Sequence, residues 1–227
     1  MYSYRTRTGC LEMESDLLDV TFLSILVSGS ATLIASAIAI PLGCFLGMRK
    51  FRGKEIVRTV TYTLYGFPPV VAGLVLYILL SSSGPLGSLQ LLFTPAAMVL
   101  AQTLLVMPIV VGLTMSAVST TSRDYTETAF VLGADGWRTA RTVIHEARVG
   151  IISAVMIGFG RALAEVGAVI LVGGNIQWHT RVLTTAIVLE TREGDFGYGL
   201  ALGAILLAIG MVFFYLMKRY QDKGMLA

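Results

Sequence analysis

Arg161 and Glu165 stand four residues apart inside 150–174, a stretch that holds no other charge. On a helix that spacing puts both side chains on one face. Counted from Gly150, Arg161 falls roughly 16 Å along the axis, near the middle of a bilayer. An unpaired charge at that depth costs about 2.5–3.5 kcal/mol on insertion scales. The pair must therefore face a bundle interior, another subunit or a water-filled route. Two roles fit. In one, Glu165 neutralises Arg161 and the pair fixes helix packing; in the other, Arg161 offers positive potential along a water-filled route and Glu165 tempers it.

A second group lies further along. The uncharged run 182–189, between Arg181 and Glu190, is too short to span a bilayer and marks 174–195 as a re-entrant or interfacial segment. Thr180, Thr184 and Thr185 bring hydroxyl donors, Arg181 a charge, and Asn175 a turn or cap residue. Such donors with modest positive charge suit a polar vestibule or gate. They equally suit an interfacial helix whose hydroxyls bond their own backbone.

Other chemistries lack their residues. There is no glycine-rich loop ending in Gly-Lys-Ser/Thr, so ATP hydrolysis is not expected in this chain. Cys10 and Cys44 have no paired spacing, His145 and His179 are expected on opposite sides of a membrane, and no Ser/His/Asp constellation occurs. The expectation is no catalytic site, no metal site and no cofactor held by the chain.

The elements that must position these residues are membrane spans. Of 227 residues, 14% are charged and 55% hydrophobic, and mean hydropathy is +0.76. Soluble domains carry about a quarter charged residues, so much of this surface meets lipid. A net charge of +3 gives no argument for a nucleic-acid partner. A span needs about 20 apolar residues. Five candidates meet that at 21–48, 60–81, 93–118, 150–174 and 196–217, the long uncharged stretch 59–122 being divided at Ser81–Gly87. Residues 1–20 form a polar extension without a cleavage pattern, and Met13 is a possible start.

Basic residues gather in 49–58 (Arg49, Lys50, Arg52, Lys54, Arg58), in 119–149 (Arg123, Arg138, Arg141, Arg148) and in the tail 218–227 (Lys218, Arg219, Lys223). The positive-inside rule places these three in the cytoplasm, with the N-terminus outside and the C-terminus inside. Gly43/Gly47 and Gly199/Gly203 permit close helix contact, and Pro41, Pro68, Pro69 and Pro108 imply kinks. No internal repeat occurs.

The segment 119–149 is more patterned than a connector. Thr121 before Asp124 resembles a capping box, 127–132 a short helical run, and Gly133 its C-cap. Asp135 can cap a second helix carrying Trp137, Ala140 and Ile144 as an apolar stripe. That stripe is either a docking surface or an interfacial face resting on lipid.

Glu127-Thr128-Ala129, then Gly133-Ala134-Asp135, then Val143, has the order and spacing of the coupling loop of ABC importer permeases, which it resembles. Thr128, His145 and Glu146 depart from the usual pattern. Pro68–Leu74, Gly84–Gly87, Gly160-Arg161-Ala162, Glu165–Ala168, Gly173–Ile176 and Thr180–Thr191 are similar to the molybdate and tungstate branch, most of all to tungstate permeases. The resemblance covers about 20–217 and implies an all-α membrane protein, a five-span helical bundle of the ABC importer permease type with cytoplasmic coupling helices. It assigns Glu127, Thr128, Ala129, Gly133, Ala134 and Asp135 to ATPase coupling. Arg161, Glu165, Asn175, Arg181, Thr184 and Thr185 are the candidates for the translocation path or gate.

The partners implied are a second copy of the chain, two ATP-binding cassette subunits holding ATP and magnesium, an extracytoplasmic oxyanion-binding protein and membrane lipid. The expected location is the cell membrane of a bacterium or archaeon, and the expected activity is oxyanion import, tungstate first. Molybdate or sulfate transport, or an ATP-independent channel or secondary transporter, are the alternatives.

Overall fold

The computed structural model describes residues 7–49, 51–131 and 133–225; within these, the side chains of 7–15, 124, 126, 127, 129, 130 and 223–225 lie outside the description. Among the described residues all regular structure is helical: α1 Arg7–Met48, α2 Lys54–Tyr65, α3 Pro69–Leu80, α4 Pro95–Val131, α5 Gly136–Glu146, α6 Arg148–Leu163, α7 Gly167–Gly173, α8 Leu183–Glu193 and α9 Phe196–Met225. Segments long and apolar enough to cross a membrane are Asp16–Met48, Pro95–Arg123 and Phe196–Asp222. The pairs α2/α3 and α5/α6 also qualify if each broken pair counts as one span, giving up to five. Leu33 on α1 and Leu200, Leu207 and Met211 on α9 are more than two-thirds exposed, as apolar side chains facing lipid would be. The chain is a multi-pass membrane protein.

Two expected spans are interrupted. In 60–81 the helix stops at Tyr65 and resumes at Pro69. Pro68 drives the residue before it out of the helical region, whereas Pro69 opens α3 at the first helical position, where a missing N–H costs nothing. In 150–174, α6 ends at Leu163 and α7 starts at Gly167. Pro41 and Pro108, by contrast, sit inside continuous helices.

Contacts divide the chain into two compact units. The first comprises residues up to Ser30, Pro69–Ala101 and Leu163–Ile209. Its core joins Val20 of α1, Leu183 and Ala186 of α8, and Leu202 of α9. Here α3 and α7 meet backbone to backbone. A Cβ on Gly73 would stand 2.7 Å from Ala168 Cα, and one on Gly167 would stand 2.8 Å from Val70 Cγ2. The Ser24 hydroxyl accepts from the Leu183 N–H at 2.8 Å, so α1 caps α8, whose own N-cap residue Val182 has no polar side chain.

The second unit comprises Ala31–Pro68, Gln102–Ala162 and Gly210 onward. Ala35, Ala39, Val106, Val110, Val111, Ala154 and Ala162 form its main core. Gly43 and Gly47 serve the close contact their spacing allows, Cβ positions there falling 2.7 Å from Thr114 Cβ and 2.9 Å from Val118 Cβ. Gly203 has nothing within 4 Å and Gly199 nothing nearer than 3.7 Å, so that second pair makes no such contact. α9 runs antiparallel to α6. Phe213 stacks on Phe159 at 3.9 Å between ring centroids, and Gln221 Nε2 donates to Val149 O at 2.8 Å and to Ser153 Oγ at 3.2 Å.

Candidate functional site

The candidate residues fall into a helix break, a loop and an elbow. The break lies between α6 and α7, within the segment expected to be one span. Glu165 is 3% exposed. Its Oε1 accepts from the Ala168 N–H at 3.0 Å, which caps the first turn of α7. Its main-chain carbonyl accepts from the Thr184 hydroxyl at 3.0 Å, tying α8 to the break. Arg161 and Glu165 therefore do not share a helix face as their spacing implies. Arg161 sits half-buried in the last turn of α6, and the helix ends before Glu165 is reached. The physical reason is the alternative use of the carboxylate. A short polar contact to a free backbone donor competes with a continued helix, and Gly167 allows α7 to start against Val70 of α3.

The loop after α7 opens with two left-handed residues, Gly174 at φ 75° and Asn175 at φ 52°. Asn175 occupies the turn its type favours, with Oδ1 buried and without a hydrogen bond. The Thr180 hydroxyl donates to Gly173 O at 2.6 Å and accepts from the Ile176 N–H at 2.9 Å, closing the loop. The Thr185 hydroxyl donates to Val182 O at 3.0 Å and accepts from the Val182 N–H at 3.1 Å. Thr180, Thr184 and Thr185 are all buried. In this arrangement their hydroxyls serve the backbone, and the threonines act as pins around the break. Arg181 is half-buried at the wall of a cavity shared with Asp16 and Asp19.

The elbow connects α4, α5 and α6. α4 continues unbroken to Val131, so 127–131 is the end of a long helix and not a separate short one. Thr121 does not cap it; its hydroxyl donates back to Ala117 O at 3.1 Å, as mid-helix threonines do. Gly133 then takes φ 76°, a left-handed turn that a side chain would strain. Asp135 caps α5 by accepting from the Arg138 N–H at 2.7 Å. Ala134 is half-buried and Thr128 exposed; the side chains of Glu127 and Ala129 lie outside the described residues, although both belong to α4.

The buried contact of α5 is Val143, 1% exposed, packed with Cys44, Val118, Ala147 and Ile151. Trp137 is 78% exposed and Val131 84% exposed. α5 and α6 meet at 54°, with the Arg148 guanidinium against the His145 ring. α5 is thus packed at Val143, while Trp137 near its start and Val131 before the turn are exposed.

Sequence reasoning had no sign of Ser24 as a cap, because its partner lies 159 residues away. Gln102 was missed too; its Nε2 donates to Ala162 O at 3.0 Å and satisfies a carbonyl in the last turn of α6. A buried glutamine in an apolar helix is the signal that could have drawn attention to it.

Residues 39–226 match the family model described as binding-protein-dependent transport system inner membrane component. A probable anion ABC transporter permease protein of Haloferax volcanii is 44% identical over 212 residues, covering 91% of each chain. A tungstate uptake system permease protein of Peptoclostridium acidaminophilum is 45% identical over 190 residues, 84% of this chain and 83% of that one. Its counterpart in Campylobacter jejuni is 37% identical over 194 residues, 82% and 81% of the two chains. On the length of the family match and the identity of these relatives, the chain belongs to the family of inner membrane components of binding-protein-dependent transport systems.

Proposed function

We propose that this chain is the translocating subunit of an ATP-driven oxyanion importer and that its substrate is tungstate. The observation that carries the transport mechanism is the elbow. Gly133 turns the chain, Asp135 starts α5, Val143 locks α5 to the bundle, and Trp137 and Val131 stay uncovered. An apolar tip on a packed base suits a docking face that passes displacement into α4 and α6. The tungstate assignment is supported by the relatives named for tungstate uptake at 37–45% identity.

In this reading the bundle has five spans, with α2/α3 and α6/α7 as broken ones, the N-terminus outside and the C-terminus inside. Two copies face each other around a two-fold axis. Two ATPase subunits, holding ATP and magnesium, engage Glu127–Asp135 and α5, and a binding protein delivers the anion at 174–195. Nucleotide-driven closure of the ATPases shifts the elbow and so the balance between inward-open and outward-open bundles. The α6/α7 break is the gate element, since broken helices at membrane depth persist where they line a route or are buried in protein. Arg161 and Glu165 act there. Glu165 and Thr184 hold the break in shape, and Arg161 is the cation nearest it along the chain.

Reconstitution tests this. Proteoliposomes with this chain, its ATPase and its binding protein should accumulate tungstate only with ATP, and a tenfold excess of sulfate should compete weakly. Full-rate movement of tungstate by the chain alone would overturn the reading.

A further inference from the structure

The surface of α2 divides into three sectors. Thr61 is buried, and Val57 and Tyr65 on the same side are partly so. Ile56, Val60 and Leu64, spaced four apart, form an exposed apolar stripe. The third sector is exposed and polar, made of Glu55, Arg58, Thr59, Tyr62 and Thr63. Both ends of the helix are fixed within the second unit. Lys54 Nζ donates to Gly47 O at 2.9 Å and to Arg49 O at 3.1 Å, at the end of α1. At the far end, about 18 Å along the axis, the Tyr65 hydroxyl donates to Ile109 O at 3.3 Å, and a Cβ on Gly112 would collide with it. Ile109 is the central residue of the apolar helix Pro95–Arg123. α2 therefore runs from the end of α1 to the middle of α4, and its polar stripe extends to membrane depth. The apolar stripe is the face suited to lipid, so a guanidinium and hydroxyls on a different face belong to water or to a passing solute.

Arg58 Nε donates to Tyr62 Oη at 3.3 Å, and the guanidinium carbon lies 5.5 Å from the Tyr62 ring centroid. The Tyr62 oxygen accepts in that bond, so its own proton remains to be donated, beside the terminal N–H groups of Arg58. Adjacent cationic and hydroxyl donors on a water-facing surface fit a tetrahedral dianion. Residues 49–58 hold five basic side chains against the one acid Glu55, which draws anions to this end of the helix. Glu55, less than one turn from Arg58, weakens the hold, and a station on a route must release its guest.

We propose that the polar stripe of α2 lines the cytoplasmic half of the oxyanion route, with Arg58 and Tyr62 as the donors that the departing anion meets. The proposal rests on the importer reading and on the cytoplasmic placement of 49–58 within it.

The test uses the complete complex of this chain, its ATPase and its binding protein, with tungstate as the probe. In nanodiscs, with Cys10 and Cys44 replaced, Thr63→Cys should react with a water-soluble anionic thiosulfonate, and a large excess of tungstate should slow the reaction. Adding Arg58→Gln should slow the anionic reagent about fivefold and leave a cationic one of the same size no slower, as loss of a focused positive potential requires. In proteoliposomes Arg58→Gln should cut maximal tungstate uptake about fivefold, and Arg58→Lys, which keeps the charge but not the planar fork, about twofold. If Arg58→Gln assembles poorly, tungstate protection of Thr63→Cys decides. Reaction of Thr63→Cys with lipid-soluble maleimides alone would put the stripe against lipid and overturn the proposal. So would aqueous labelling that neither tungstate nor Arg58→Gln slows, which makes the stripe an ordinary solvated face. Either result leaves the importer reading standing. A wild-type complex that accumulates no tungstate with ATP defeats that reading itself.

Discussion

Glu165 serves two elements at once, capping α7 with its side chain and holding Thr184 of α8 with its carbonyl. Removing the carboxylate leaves the first turn of α7 uncapped, a loss of about 1 kcal/mol by analogy with N-caps, and opens a void at a buried position. Glu165→Ala should therefore lower the melting temperature of the detergent-solubilised protein by several degrees. Glu165→Gln, which retains an acceptor for the Ala168 N–H, should lose less than half as much. Arg161→Ala is expected to reduce folded yield as well as uptake, read by size-exclusion recovery beside transport. Normal recovery with uptake alone abolished would assign Arg161 to the route. The caps of α5 and α8 contrast in how far they were legible. Asp135 was readable because its acceptor and the Arg138 N–H are three residues apart. Ser24 was not, since only folding brings it to Leu183. The four-residue spacing of Arg161 and Glu165 misled, because periodicity cannot see a carboxylate turning back to cap the next helix.

Among the elements, the long apolar helices α1, α4 and α9 were evident from uncharged length alone, whereas the breaks in the other spans were decided locally. Pro68-Pro69 gave notice of the first break, yet the segment reads equally well as a kinked continuous helix. The second break carried no proline and was invisible. Close packing makes a sharp contrast between glycines. Gly73→Val pushes a branched side chain onto Ala168, whose Cα would lie 2.7 Å from the new Cβ. Since overpacking costs typically about 1–3 kcal/mol, thermal stability should fall clearly. Gly29→Ala, with nothing within 4 Å, should be neutral or slightly stabilising. At the elbow, Gly133→Val strains a left-handed position by about 1–2 kcal/mol. Its expected result is weaker co-purification of the ATPase with the spans still inserted. Unchanged co-purification would count against the elbow as coupling element.

At the scale of the whole molecule, each compact unit is closed by contacts between distant parts of the chain. Asp16 and Asp19 share a cavity with Trp178–Arg181, and Gln221 of α9 reaches Val149 at the start of α6. The family was legible because the Glu127–Val143 pattern and the motifs of 160–191 are compact in sequence. The partners were legible only through that resemblance, since an exposed residue such as Trp137 does not by itself say what covers it. In the proposed mechanism the exposed tip of α5 works against a nucleotide-hydrolysing subunit. Its most direct test is a Trp137→Cys chain, with Cys10 and Cys44 replaced, assembled with the ATPase and treated with a short thiol cross-linker. A cross-link to the ATPase is expected, with a yield that changes between nucleotide-free and ATP-bound states. A cysteine that reaches no ATPase in a transport-active complex, and is instead quenched by lipid-soluble reagents, would contradict it.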